Sequence, residues 1–149
     1  MIVLDTTVLV YAKGQEHPLR EPCRALIEAI GAGVVQATTT PEVIQEFVHI
    51  RALRRSRRDS TQLGRSYADL LAPLLTVGEE QLGAGLDLFA RQSALGAFDA
   101  VLAATVLASG AEALVSADAT FAHVPSLSHL APGTPEFERL FEPGVDGRS

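Results

Sequence analysis

The sequence predicts an α/β fold with a mainly parallel sheet, and three observations lead there. Short apolar runs of strand length alternate with longer segments of helical periodicity, the signature of strand–helix–strand units. Hydrophobic residues make up 47% of the chain against 20% charged, enough to fill a core and too apolar for disorder. Aromatics are only 5% and tryptophan is absent, which favours aliphatic helix-on-sheet packing over aromatic base-stacking platforms. With 149 residues, one domain over 1–142 is expected. The end, Pro143-Gly144-Val145-Asp146-Gly147-Arg148-Ser149, has the composition of a flexible tail.

The elements follow in order. Met1-Ile2-Val3-Leu4 carries a strand signal over 2–4, ends at Asp5 and runs on as Thr6-Thr7-Val8-Leu9-Val10. Leu19, Cys23, Leu26, Ile27 and Ile30 recur at helical spacing. Pro22 is tolerated in a first turn, and Gly31 and Gly33 stop that helix. A strand is predicted over 34–38. Val43, Ile44, Phe47 and Val48 form the next apolar stripe, and Leu63, Tyr67, Leu70, Leu71 and Leu74 another. A weak strand signal at 75–77 precedes a third stripe of Leu82, Leu86 and Phe89. The run 97–108 is apolar nearly all round, as in a buried helix. Strand signals at 113–116 and, weaker, 126–127 close the series.

Several function classes drop out. One cysteine, Cys23, excludes an internal disulfide and a Cys-based zinc site, and at an apolar helical position it is a core residue. An acid interrupts the first apolar stretch and no basic segment precedes it, so no secretory signal is expected. The apolar run between Asp99 and Glu112 is shorter than the roughly 20 residues a membrane span needs. A cytoplasmic protein without membrane association is therefore expected. The net charge of −6 argues against general coating of nucleic acid. Yet Arg51, Arg54, Arg55, Arg57, Arg58 and Arg65 supply half of all 12 cations within one short stretch.

The acids carry the chemistry. Asp is a poor strand residue and rarely buried without a partner, yet Asp5 stands at the carboxyl end of the first strand, the edge where parallel sheets bind ligands. A helix or turn cap is its plain alternative. Glu42 and Glu46 share one helix face. Thr39-x-x-Glu42 reads as a capping box, so Glu42 is assigned to the cap. Glu46, a turn further in, has no such role and is assigned to function. Asp99 opens the apolar helix, where the helix dipole alone is worth about 0.3–1 kcal/mol. Asp118 again follows an apolar strand, with an Asx cap of the turn at 120–123 as its alternative.

Convergence of these four would be costly. Two like charges about 4 Å apart cost about 4 kcal/mol at an effective dielectric near 20, or roughly three pKa units. Such a cluster must hold protons, pair with arginines or bind a divalent ion. Oxygen ligands without cysteine suit Mg²⁺ or Mn²⁺. Thr6, Thr7 and Ser116 offer hydroxyls to orient carboxylates or waters.

Leu4-Asp5-Thr6-Thr7-Val8-Leu9-Val10-Tyr11, Glu46 in a helix, Phe98-Asp99-Ala100-Val101-Leu102-Ala103-Ala104 and Val115-Ser116-Ala117-Asp118 with Phe121 together resemble the PIN-domain pattern. Within that family the chain is similar to the VapC ribonuclease toxins, over nearly its whole length to about Val124. The resemblance implies a three-layer α/β/α fold and a catalytic, metal-binding quartet of Asp5, Glu46, Asp99 and Asp118. Thr6 and Ser116 fall where the family often carries supporting hydroxyls, and Thr7 stands where many members have Asn or Ser. The implied activity is Mg²⁺-dependent endoribonuclease action, with Mn²⁺ as a substitute, by the toxin of a toxin–antitoxin pair. A cognate VapB-like antitoxin covering the active-site groove and a homodimer are implied as partners. One ion would bring the pKa of water from 15.7 towards neutrality, and a second, about 3.5–4 Å away, would stabilise the leaving oxygen.

Arg54, Arg55, Arg57 and Arg58 are expected to grip flanking RNA phosphates. No role falls to His17, His49, His123 or His129. Glu46-x-x-His49 lacks the second such pair that a di-iron bundle needs. Two alternatives belong to other classes. A phosphatase using Asp5 as nucleophile would want an acid two residues on, where Thr7 stands. A non-enzymatic or degenerate PIN-like binding protein would need its acids neutralised by structural partners.

Overall fold

The computed structural model describes residues 1–144. Of the expected tail at 143–149, residues 145–149 lie outside the described residues. Four short strands, β1 (Ile2–Leu4), β2 (Ala37–Thr38), β3 (Ala113–Val115) and β4 (His129–Leu130), form one sheet in the order β2-β1-β3-β4, every pair parallel. Val3 pairs with Thr38 on one side and Leu114 on the other, so β1 is a central strand. Its residues and those of β3 are fully buried, as their continuous apolar runs require.

Between the strands lie α1 (Thr6–Lys13), α2 (Arg20–Gly31), α3 (Pro41–Ala52), α4 (Arg57–Leu71), α5 (Glu79–Arg91) and α6 (Ala97–Ser109), with a short α7 (Pro135–Glu138) after β4. Helix α1 packs on α2 and α3, α3 on α4, and α5 on α6, which returns the chain to β3. The chain moves from β1 to β2 in one direction and then back past β1 to β3. Right-handed crossovers running in opposite directions fall on opposite faces, which yields the three layers expected. It also makes the carboxyl edge between β1 and β3 the point where strand order reverses, the usual ligand crevice of such sheets.

Several elements depart from the sequence reading. The apolar run after Asp5 is helix α1, not a continuation of strand: Val8, Leu9 and Ala12 are buried at helical spacing. A short apolar run is ambiguous between the two until the tertiary surroundings decide. The strand at 34–38 contracts to Ala37–Thr38, because the N–H groups of Val34 and Val35 both bond to the Ala29 carbonyl and finish the end of α2. No strand forms at 75–77; Leu75 packs on the core and its N–H bonds to the Thr39 carbonyl (2.9 Å), but no ladder follows. The last strand lies at His129–Leu130, since Ser126 has φ 64° and cannot be extended.

Helix α6 is buried along most of its length, as predicted, but Phe98 at its start is 85% exposed. Leu82, Leu86 and Phe89 face outwards, and α5 instead buries Leu88 and Gly85. A Cβ at Gly85 would lie 2.6 Å from Val101 Cα, so this glycine permits backbone-to-backbone approach of α5 and α6. Cys23 is core, and burial pushes its thiol up to about 12. Among the described residues no helix is long and apolar enough to cross a membrane.

Candidate functional site

Asp5 leaves β1 with its N–H bonded to the Val115 carbonyl (3.0 Å), so the first ligand candidate is tied to the end of β3. The residue is only 5% exposed. Its carboxylate does not cap α1. Instead Oδ2 accepts a 2.6 Å hydrogen bond from Ser116 Oγ and a 3.1 Å bond from Thr7 Oγ1. Those hydroxyls are themselves held: Ser116 Oγ accepts from the Asp118 N–H and Thr7 Oγ1 from the Ala117 N–H, both at 3.0 Å. The network aims one oxygen inwards and leaves Oδ1 without a hydrogen bond among the described residues. Thr7, which the sequence marks only by its hydrogen-bonding type, adds a second, longer bond to the one from Ser116. Thr6 Oγ1 is buried with no hydrogen-bond partner, although it lies near enough to Glu46 to favour that carboxylate's charged form.

Glu46 and Glu42 separate as their positions require, but for a different reason than a capping box. The N-cap of α3 is Thr40, whose Oγ1 accepts from the Val43 N–H at 3.2 Å. Thr39 Oγ1 donates to the Leu4 carbonyl (2.6 Å), bracing the start of α3 against β1. With the cap one residue later, Val43 occupies the third helical position and Glu42 projects into solvent. Glu46 is exposed too, but it lies within reach of the Asp5 charge and the Thr6 hydroxyl. Burial raises its pKa, the charge on Asp5 raises it further, and Thr6 and His49 partly oppose them.

Asp99 sits in the first turn of α6, half-buried. Its pKa is raised to about 6, first by burial and then by the charges of Asp5, Asp118 and Glu46. All three other acids, scattered over the sequence, therefore lie near enough to act on one carboxyl. Asp118 serves twice: its Oδ1 accepts from Thr120 N–H (3.0 Å) and Thr120 Oγ1 (2.8 Å), capping the 3₁₀ turn Ala119–His123, while its charge reaches Asp99. Among the described residues, no three His, Cys, Asp or Glu side chains are gathered closely enough to hold a metal ion as they stand. The quartet is an open arrangement, mutually repelling and braced at Asp5 and Asp118.

The family model of the PIN domain matches residues 2–127, a span that contains β1, β3 and all four acids. The chain belongs to the PIN-domain family. This PIN domain is 52% identical over 136 residues to Ribonuclease VapC7 of Mycobacterium tuberculosis, covering 89% of the chain and 92% of that protein. It is 26% identical over 132 residues to Ribonuclease VapC13 of the same organism, covering 88% of the chain and all (100%) of that protein. Among solved structures, VapBC2 from Rickettsia felis bound to a DNA fragment from their promoter matches with a TM-score of 0.68 at 18% identity, over 89% of this chain and 99% of that one. FitAB bound to an IR36 DNA fragment matches with a TM-score of 0.69 at 17% identity, over 89% and 95%. Both likenesses are of fold.

The arginines of this PIN domain do not act as one patch. Arg51 donates from Nε to Asp59 Oδ2 (2.8 Å) and from Nη1 to the Lys13 carbonyl (2.9 Å), tying α1, α3 and α4 together and holding Asp59 below the usual carboxylate range. Arg54 and Arg55 line a groove of about 420 Å³ with Lys13, Val10 and Ile50. Arg57 and Arg58 stand in the first turn of α4, exposed and outside that lining.

Proposed function

We propose that this PIN domain is a Mg²⁺-dependent endoribonuclease, the toxin of a toxin–antitoxin pair. The single observation that carries the reading is the buried Asp5 carboxylate, braced by Ser116 and Thr7 at the reversal point of the sheet, with the charges of Glu46 and Asp118 reaching Asp99 beside it. The 52% identity to Ribonuclease VapC7 supplies the substrate class. The residues suit a hard divalent cation: the donors are all oxygens, Asp5 keeps Oδ1 unbonded, and Thr6 Oγ1 is buried without a partner. Asp5, Glu46, Asp99 and Asp118 would hold it. When bound, the ion supplies Lewis acidity that makes hydroxide available near neutral pH and offsets charge on the scissile phosphate. Mn²⁺ is the expected substitute.

The chain's own residues then have distinct tasks. Ser116 and Thr7 lock the Asp5 carboxylate by its Oδ2, so that Oδ1 stays directed at the site without reorganisation. Asp99, whose charged form burial and its neighbours disfavour, would be relieved of that repulsion by the cation. Cations of the arginine stretch offset the repulsion between RNA phosphates and an acidic surface. As partners we infer a cognate VapB-like antitoxin and a second copy of the chain, acting in the cytoplasm. Complexes named VapBC2 and FitAB support the first, and the outward Leu82, Leu86 and Phe89 of α5 are compatible with the second.

The test is incubation of the purified protein with total RNA and Mg²⁺ or Mn²⁺, with and without chelator, beside Asp5→Asn. Metal-dependent cleavage lost in Asp5→Asn is expected. Cleavage that survives in Asp5→Asn would sink the assignment of the site. An acid-labile phosphoenzyme would favour the aspartyl-nucleophile phosphatase instead. Absence of any effect of Mg²⁺ or Mn²⁺ on binding or melting would favour a degenerate binding protein.

A further inference from the structure

The helices that carry Thr6 and Glu46 to the acidic edge also carry a second feature. On α1, Thr6, Val10 and Lys13 recur at i, i+4 and i+7; from α3 onward, Glu46, Ile50 and Arg54 recur at i, i+4 and i+8, with Arg54 N–H still bonded to the Arg51 carbonyl just beyond the helix. Helix α1 packs on α3; Thr6 lies beside Glu46 at the acidic end, and Val10, Lys13, Ile50 and Arg54 line one groove further along the same helices. Eight residues at 1.5 Å each separate Glu46 from Arg54 by about 12 Å, roughly three phosphate steps of a stacked strand.

We propose that this groove is the continuation of the substrate path, where Lys13 on one wall and Arg54 and Arg55 on the other hold RNA phosphates a few nucleotides from the acidic edge. The inference rests on the ribonuclease reading and divides the arginine stretch by function. Among the described residues, Lys13, Arg54 and Arg55 have no carboxylate within ion-pair distance, whereas Arg51 is committed to Asp59. Guanidinium forks match phosphate oxygens. The lining holds four cations, Lys13, Arg51, Arg54 and Arg55, and no carboxylate, over an apolar floor of Val10, Phe47 and Ile50, so charge rather than polarity selects the occupant. Cationic walls over a shallow floor suit a polyanionic backbone. Arg57 and Arg58 lie outside it.

The experiment uses Asp5→Asn as a non-cleaving background and fluorescent single-stranded RNAs, one reaching only the acidic edge and one long enough to fill the groove as well. Adding Lys13→Gln, Arg54→Gln and Arg55→Gln should lower the salt slope of log K for the long RNA by about 2, at ~0.7 per lost phosphate contact, and leave the short RNA unchanged. Lys13→Arg should keep the slope, and Arg57→Gln with Arg58→Gln should leave it unaltered. An unchanged slope in the triple variant, or an equal fall in the Arg57/Arg58 variant, overturns the proposal. If the triple variant binds RNA normally but loses a polyglutamate peptide, the groove docks protein and the proposal is wrong. Wild-type cleavage with an indifferent groove breaks this inference alone, whereas absence of both cleavage and RNA binding breaks the ribonuclease reading with it.

Discussion

The acidic edge and the cationic groove share helices α1 and α3, which carry Thr6 and Glu46 to the one and Lys13 and Arg51 to the other, yet their charges are held in opposite ways. At the edge, Asp5 and Asp118 are braced by Ser116, Thr7 and Thr120, while burial and then the neighbouring charges push the Glu46 and Asp99 carboxyls up. In the groove, Lys13, Arg54 and Arg55 sit on long exposed stems without ion-pair partners among the described residues, and only Arg51 is fixed. Groups that must meet a reacting atom need preorganisation and tolerate internal strain to get it; groups that hold a polymer by charge need reach and freedom. Edge substitutions should therefore move activity and stability in opposite directions, while groove substitutions should move RNA affinity alone.

The sharpest way to break this comparison is at Asp5. Asp5→Asn should lower RNA cleavage by more than the ~100-fold that loss of a supporting partner costs a metal site. A smaller loss, measured as kcat/KM on a defined RNA, would mean the braced carboxylate is not where the chemistry is organised. Next in size is the brace itself. Ser116→Ala combined with Thr7→Val should weaken Mn²⁺ binding and cleavage by about 10–100-fold, with little change in fold by circular dichroism. If Mn²⁺ titration of the double variant matches the parent, Oδ2 anchoring is dispensable.

Asp99 tests the other half of the contrast. Its folded pKa of about 6 lies above the ordinary 3.8, so the folded state binds the proton more tightly than the unfolded chain. The associated stability is fully present below pH 4 and is lost as pH rises through 6. Asp99→Asn should thus stabilise the metal-free protein by about 1–3 kcal/mol at pH 7.5, an advantage that fades by pH 4, while abolishing cleavage. Saturating Mg²⁺ should narrow the gap by stabilising the parent. An Asp99→Asn protein that melts lower than the parent at pH 7.5 would contradict the repulsion argument. The smallest effect is expected at Glu42, which projects into solvent beyond the true cap at Thr40. Glu42→Gln should change cleavage less than about 2-fold, against a loss comparable to Asp5→Asn for Glu46→Gln; equal losses would erase the distinction between them.

Much of this site was legible in the sequence, for identifiable reasons. A carboxylate where an apolar strand ends is costly wherever it is placed, so Asp5 and Asp118 announce themselves in one dimension. Glu46 was separable from Glu42, though by an argument about Thr39 that the structure replaces: Thr39 bonds to the Leu4 carbonyl, and Thr40 makes the cap. Helix α1 was not legible, because Val8, Leu9 and Val10 suit a strand as well as a helix. Nor was the outward turn of Leu82, Leu86 and Phe89, since a stripe of apolar residues does not say which face of α5 meets α6 until Gly85 is found against Val101.

By itself the sequence determined the alternation of strands and helices and the parallel sheet, and it singled out four candidate acids, because hydrophobic periodicity and the cost of a buried charge act locally. Only the tertiary structure decided that β1 and β3 lie side by side at the reversal point, that Thr7 and Ser116 share the Asp5 oxygen, and that of the groove's arginines Arg51 is tied to Asp59 and the Lys13 carbonyl while Arg54 and Arg55 are not. Those relations join residues up to 111 positions apart. Contact between them is set by strand order and helix packing, which no local pattern encodes.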